Sequence, residues 1–227
     1  MIGFGKTLIV AAHPDDDILG CGGLLSKLTS SGESVRVIFI AEGTTCRYNN
    51  ITEKVKNEIA SRNQCGINAL KILGVSDYNF YNFPCGRLDV EPIIDIAKII
   101  EKEIENYKPK TILTHFRNDV HNDHKIVFQA VLQATRPVKN IVKNLLSFEI
   151  LSSTEWKYFD VFKPNFFVDI TDTLPKKIEA MNCYISEQPD PPHPRSDHII
   201  SSLASIRGSQ SGVMFAESFE VVRIYYK

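Results

Sequence analysis

An α/β fold, with a Rossmann-like and mostly parallel sheet sandwiched by helices, is the architecture this sequence predicts. Short unbroken apolar runs, the mark of strands buried on both faces, alternate with longer stretches of helical spacing. Hydrophobic residues make up 43% of the 227, which excludes a disordered chain. Residues suited to caps and turns fall between the runs.

The elements follow in order. Residues 7–12 (TLIVAA) form the first buried strand, and a glycine-containing helical stretch covers 18–28. Residues 34–41 (SVRVIFIA) read as the second strand, and a helix over 52–73 is closed by Gly74 in the position favoured for a left-handed C-cap. An aromatic strand at 77–83 precedes a helix that Asp89 can cap, running to residue 107 with Ile93, Ile96, Ile100 and Ile104 among its apolar positions. Residues 110–114 (KTILT) are the next buried strand, and a helix over 122–134 follows, with Pro137 past its end. Strands at 147–151 and 166–170, a helix at 173–185, a Pro-rich loop at 188–194, a helix at 195–206 and a strand at 219–226 complete the order. With no repeat, low-complexity tract or linker, one domain over residues 1–227 is expected.

Composition removes several function classes. There are 26 Lys+Arg against 27 Asp+Glu, a formal net charge of −1, so the basic footprint of a nucleic-acid binder is missing and nucleic acid is not an expected partner. No apolar run reaches the roughly 20 residues of a membrane span, so no transmembrane segment is expected. The stretch MIGFGKTLIVAA lacks a basic n-region, which points to a cytoplasmic protein. The 5 cysteines are widely spaced without a C-x-x-C pair, arguing for reduced, mostly packed thiols rather than a disulfide framework or a thiolate zinc knuckle. Only 6 histidines occur, and half of them fall in two short carboxylate-rich segments.

Those segments carry the chemistry. His13-Pro14-Asp15-Asp16-Asp17 stands at the carboxyl end of the first predicted strand, where ligands bind in such sheets. Crowded carboxylates there repel each other unless a cation or hydrogen-bond donors compensate them. The run Asp119-Val120-His121-Asn122-Asp123-His124 follows another buried strand. Separately, the first segment reads as a turn with a helix cap and the second as a solvated helix start; jointly they supply two histidines and a carboxylate, a set suited to a catalytic Zn²⁺ with one position left open. Two histidines and a carboxylate also accept Fe²⁺ or another divalent metal. Asp15, adjacent to a ligand without being needed as one, fits a general base. Spacing by itself does not choose among the acidic residues. Gly20, Gly22 and Gly23 lack the G-x-G-x-x-G spacing and read as close helix-to-sheet packing. Arg47 and Tyr48, in the loop after the second strand, read either as pocket lining or as a solvated loop, and Trp156, Tyr158 and Phe159 either as a stacking wall or as core and interface.

The stretches AAHPDDDILGCGG, THFRNDVHNDHKIVFQA and RGSQSGVMFAESFEVVR resemble the LmbE-like (PIG-L) family of zinc-dependent N-deacetylases over nearly the whole chain. The resemblance implies removal of acetyl from N-acetylglucosamine-type sugars or their glycoconjugates. It implies His13, Asp16 and His124 as zinc ligands, Asp15 as general base, His121 as the group that stabilises the oxyanion or protonates the amine, and Asp123 as the carboxylate orienting His121. Arg62 matches an arginine contacting sugar hydroxyls; Arg47, on its loop position alone, is the second candidate substrate-binding residue. Its usual glutamate companion three positions on is Cys65 here, and the third acidic residue, often Glu, is Asp17, a shorter side chain that keeps the charge. His193-Pro194-Arg195 resembles a subfamily feature at the pocket rim, and His115 stands either behind the zinc or simply in the core. A homo-oligomer is compatible with the family. Two rivals remain: an amidohydrolase acting on a non-sugar N-acyl substrate, and a nucleotide-binding domain of the same fold without catalysis.

Overall fold

The computed structural model describes residues 3–138, 141–187 and 190–226. Its strands are β1 (Thr7–Ala11), β2 (Val35–Ala41), β3 (Asp77–Phe83), β4 (Thr111–His115), β5 (Asn144–Phe148), β6 (Phe166–Asp169) and β7 (Ala216–Ile224). They form one sheet in the order β3-β2-β1-β4-β5-β7-β6. The run from β3 to β5 is parallel, whereas β7 lies antiparallel to both β5 and β6. The helices are α1 (Asp16–Ser30), α2 (Glu53–Ile72), α3 (Ile93–Tyr107), α4 (Asn122–Ala134), α5 (Leu174–Met181) and α6 (Asp197–Ser211).

The unbroken apolar character of β1 is explained by its surroundings. Ile9 and Ala11 face a core shared with α1, α2, α5 and α6, including Leu25, Leu70, Met181 and Ile200. Leu8 and Val10 face a second core shared with α3 and α4, including Ile100 and Val131. Alternate side chains of a strand point to opposite faces, so a strand covered on both must be apolar throughout. The glycines of α1 allow the helix to lie against the sheet: a Cβ on Gly20 would stand 2.4 Å from the Phe148 ring, and one on Gly23 2.7 Å from Ile170.

Some boundaries differ from expectation. Asp89 caps no helix; it sits in a 3-10 turn at Leu88–Val90, and α3 starts only at Ile93. Pro92 disfavours the helical region for the residue before it, and Glu91 is accordingly extended (φ −87°, ψ 137°). The strand expected at 147–151 begins earlier, because Asn144 pairs with Thr111 and the ladder ends where His115 meets Phe148. The helix expected at 173–185 stops at Met181 and a separate 3-10 turn follows at Ile185–Glu187, while the last helix starts after Ser196 and extends to Ser211. Within the predicted Pro-rich loop, residues 188 and 189 lie outside the described residues. Among the described residues no helix is long and apolar enough to cross a membrane.

Candidate active site

Because β1 and β4 are adjacent and parallel, the loops leaving their carboxyl ends lie side by side. These loops carry the two histidine- and carboxylate-rich segments. Asp15 precedes α1 with φ 114°, a conformation costly for any non-glycine residue and found mainly where function requires it. The Asp15 carbonyl accepts from the amides of Ile18 and Leu19, so its backbone is fixed by the helix it begins.

The centre of the site is one oxygen. Asp16 Oδ2 lies 3.3 Å from His13 Nδ1 and 3.4 Å from His124 Nε2, with all three residues buried. Those separations exceed a good N–H···O hydrogen bond. They match the edge of about 3.3 Å between donors that each stand about 2 Å from a tetrahedral Zn²⁺. The residues present therefore fit a divalent cation, and His13, Asp16 and His124 form a group able to hold one.

The opposite ring nitrogens face carboxylates. His13 Nε2 is 2.9 Å from Asp123 Oδ2, and His124 Nδ1 is 3.3 Å from Asp119 Oδ1. Such outer carboxylates fix imidazole orientation and strengthen a ligand. Asp123 is fixed in turn by the amides of Gly86 (2.6 Å) and Leu88 (3.2 Å). Asp119 accepts from the hydroxyls of Ser153 and Thr154 and from the amide of His121. The carboxylate of Asp123 thus orients His13 rather than His121, whose Nδ1 instead accepts from the Asp123 amide at 3.2 Å.

Electrostatics agree with a cation centre. Burial opposes the charge on His124, yet the Asp16 and Asp119 carboxylates push its pKa up to about 10. Burial likewise opposes the charge on Asp16, but His124 and His115 hold it well below the usual carboxylate range. Protons here occupy positions for which a divalent ion competes. Burial drives His115 the other way, well below its ordinary value, and its Nε2 accepts from the Ala12 amide at 2.8 Å. With that lone pair engaged, its ring stacked on His124 at 4.0 Å and its Nε2 3.5 Å from Asp16 Oδ2, His115 backs the site. Burial, then the charges of His124 and His13, lower His121 to about 4, so at neutral pH it is an uncharged imidazole.

Asp15 stands apart from the cation position and faces arginines. Its Oδ2 takes Arg195 at 2.7 Å and Arg62 at 2.9 Å, while its buried Oδ1 has no partner. Burial raises its pKa, and Arg195 and Arg62 oppose the rise. Glu187 binds the same arginines, reaching Arg62 at 2.6 Å and Arg195 at 3.2 Å, and also takes the half-exposed Arg47 at 2.7 Å.

The family model described as GlcNAc-PI de-N-acetylase, PIG-L, matches residues 8–135, more than half of the chain. The chain belongs to the PIG-L family. A diacetylchitobiose deacetylase of Thermococcus kodakarensis is 26% identical over 225 residues, covering 96% of this chain and 83% of that protein. The structure of the N,N'-diacetylchitobiose deacetylase from Pyrococcus horikoshii superposes with a TM-score of 0.78 at 20% identity, covering 96% of this chain and 84% of the other. The 4-carboxy-2-hydroxymuconate hydratase of Pseudomonas putida KT2440 shares the fold too, at TM-score 0.77 and 21% identity over 98% of both chains. Relatives with this fold thus include deacetylases and a hydratase, so the fold alone does not choose the reaction.

Several residues of this PIG-L member depart from the sequence reading. Asp17 does not keep its charge: burial, with Asp15 and Asp16 nearby, pushes it up to about 8, and neither carboxylate oxygen has a partner. Cys65 packs at the edge of the core, and the carboxylate that meets Arg62 comes from Glu187 instead. Arg62 is buried and bonded to Asp15, the Pro14 carbonyl and Glu187. Trp156, Tyr158 and Phe159 are exposed rather than core. Cys46 is exposed and its Sγ lies 3.1 Å from that of Cys85. The structural importance of Asp119 had a signal, its place two residues before His121 in the motif; that of Glu187 had little, because Arg62 and Arg47 lie 125 and 140 positions away along the chain and only Arg195, 8 positions on, is near.

Proposed function

We propose that this protein is a metal-dependent hydrolase that removes the N-acetyl group from an amino sugar or its glycoconjugate, releasing acetate, with Zn²⁺ as the metal. The observation that carries the reading is the convergence of His13, Asp16 and His124 beside a carboxylate, Asp15, whose Oδ1 is free. His13, Asp16 and His124 would hold the cation. The cation supplies a Lewis acid and a means of generating a nucleophile at neutral pH.

The chain's own groups do the rest. Asp15, anchored through Oδ2 on Arg62 and Arg195, takes the proton of the attacking water at Oδ1 and passes it to the departing amine. His121, neutral at rest, donates a hydrogen bond to the oxygen that gains charge. Asp123 holds the His13 ring. Arg47, anchored on Glu187 and half-exposed, contacts sugar hydroxyls, while Arg62 serves substrate and base together. A cytoplasmic protein of one domain that meets a small-molecule substrate rather than nucleic acid is consistent with the net charge of −1.

The test combines metal analysis with acetate release from N-acetylglucosamine, its nucleotide-linked form, diacetylchitobiose and a lipid-linked N-acetylglucosamine. Acetate from one of these, proportional to bound metal, is expected. Release only from N-acyl amino acids, or hydration of an unsaturated dicarboxylic acid without acetate, would replace the proposal.

Glu187 provides a signed pH prediction. Its negative charge raises the pKa of Asp15 by direct repulsion, against the lowering by Arg195 and Arg62. Glu187→Gln removes that charge, so the acid limb of the kcat/KM profile is expected to move to lower pH. A limb that stays in place or moves up would show that Asp15 is not the titrating base.

A further inference from the structure

Cys46 and Cys85 belong to different segments, the 3-10 turn at Thr45–Arg47 after β2 and the loop after β3, yet their sulfur atoms are 3.1 Å apart. The approach is built into both segments by one buried carboxylate. Glu42 accepts from the amides of Thr44 (2.5 Å) and Thr45 (3.0 Å) on the first segment and from that of Cys85 (2.7 Å) on the second. The Thr45 hydroxyl donates to the same carboxylate and accepts from the Cys85 amide at 3.1 Å. Gly86 completes the fit: it adopts φ 73°, and a Cβ on it would stand 3.0 Å from Cys46 Cβ. Of the five thiols only Cys46 is exposed; Cys85 is buried behind it, Cys21 is buried, and Cys65 and Cys183 are partly buried against the core.

We propose that Cys46 and Cys85 form a reversible disulfide site at the rim of the metal pocket, closed by a peroxide, and that closure weakens the pocket. The Cys46 sulfur attacks one peroxide oxygen and the O–O bond breaks, giving a sulfenic acid on Cys46 and one water, which leaves with the Cys46 thiol proton. The Cys85 sulfur then attacks the Cys46 sulfur, the S–S bond forms, the S–O bond breaks, and a second water leaves with the Cys85 proton. Together the two sulfurs lose two electrons and one hydrogen peroxide becomes two waters. A disulfide is about 2.05 Å long, so the sulfurs need to close by about 1 Å from their present contact.

That movement is transmitted to the site along the chain. The residue after Cys85 is Gly86, whose amide donates to Asp123 Oδ2, the same oxygen that holds His13 Nε2. Drawing the Cys85 segment toward Cys46 shifts a group that positions Asp123, and disturbing the outer partner of a ligating histidine lowers metal affinity or activity by about 10- to 100-fold. This coupling rests on His13 being a metal ligand, as proposed above; the disulfide itself does not.

The experiment treats the zinc-loaded full chain with one equivalent of hydrogen peroxide. Peptide mapping is expected to find a Cys46–Cys85 crosslink, the intact mass to fall by the two thiol hydrogens, and dithiothreitol to reverse both. Zinc affinity, read by chelator competition, is expected to drop by about 10-fold or more in the oxidised form. Cys46→Ser is expected to keep the reduced protein's zinc affinity and activity and to be unaffected by peroxide. Oxidation of Cys46 to sulfinic acid without a crosslink, or a crosslink to Cys21, Cys65 or Cys183, overturns the site. A Cys46–Cys85 crosslink with unchanged zinc affinity overturns the coupling, whether or not the protein proves to be a deacetylase.

Discussion

Asp15→Asn is expected to lower kcat by about 10²- to 10⁴-fold, the range contributed by a positioned general base, while bound metal stays at its wild-type level. The separation of the two effects follows from which oxygen does what. Asp15 Oδ2 is occupied by Arg62 and Arg195, and Oδ1 is buried with no hydrogen-bond partner among the described residues. An asparagine amide oxygen can still accept from the arginines, so the turn before α1 keeps its anchor, but no oxygen remains able to take a proton. Neither Asp15 oxygen belongs to the His13, Asp16 and His124 group, so metal retention should not follow activity downward. Metal analysis beside acetate release checks both, and near-native turnover in a metal-loaded Asp15→Asn protein would remove Asp15 from the mechanism.

Asp16→Ala is expected to have the opposite profile, losing metal and activity together. Asp16 Oδ2 is the atom both histidine nitrogens approach, and without it two imidazoles face each other across a buried space. The same substitution removes the charge that does most to offset burial at His124, so its pKa should fall from about 10 toward the ordinary range. Asp119→Asn makes the graded comparison. Asp119 lies behind His124 rather than at the cation position, so metal affinity should fall by about 10- to 100-fold, with kcat recovered at saturating metal. Because protons compete with the cation, metal affinity of the native protein should rise with pH through neutrality. Calorimetric titration with Zn²⁺ at two pH values measures this, and equal loss of kcat at saturating metal in Asp119→Asn would give Asp119 a different role.

The sequence carried the sheet because burial on both faces writes itself as unbroken apolar runs. TLIVAA, SVRVIFIA and KTILT became β1, β2 and β4, and the neighbouring positions of β1 and β4 brought the two motifs together. Element ends were less legible where a single residue decided them, as Pro92 did for α3. At the site, proximity in sequence revealed the histidines and acidic run, but the direction of each side chain did not follow. Asp123 lies two residues from His121 and turns to His13, 110 positions away. The charge state of Asp17 was also hidden, because composition counts a carboxylate as charged whereas enclosure makes it an acid near neutrality. The Glu187 cluster joins segments far apart in sequence, and no local pattern marks such a group.

The mixed sheet divides the molecule's work along the chain. The stretch matched by the family model, residues 8–135, contains all three proposed cation donors and the proposed base. Some of the groups that steady or tune them lie in the same stretch, Asp123 beside His13, Asp119 beside His124 and Arg62 on Asp15, and others come from later segments: Ser153 and Thr154 on Asp119, Arg195 on Asp15, and Glu187 on three arginines. Part of the adjustment is therefore encoded apart from the chemistry. Substitutions in the later half can retune the base or reshape the rim without touching a donor, which gives one scaffold an economical route to new substrates.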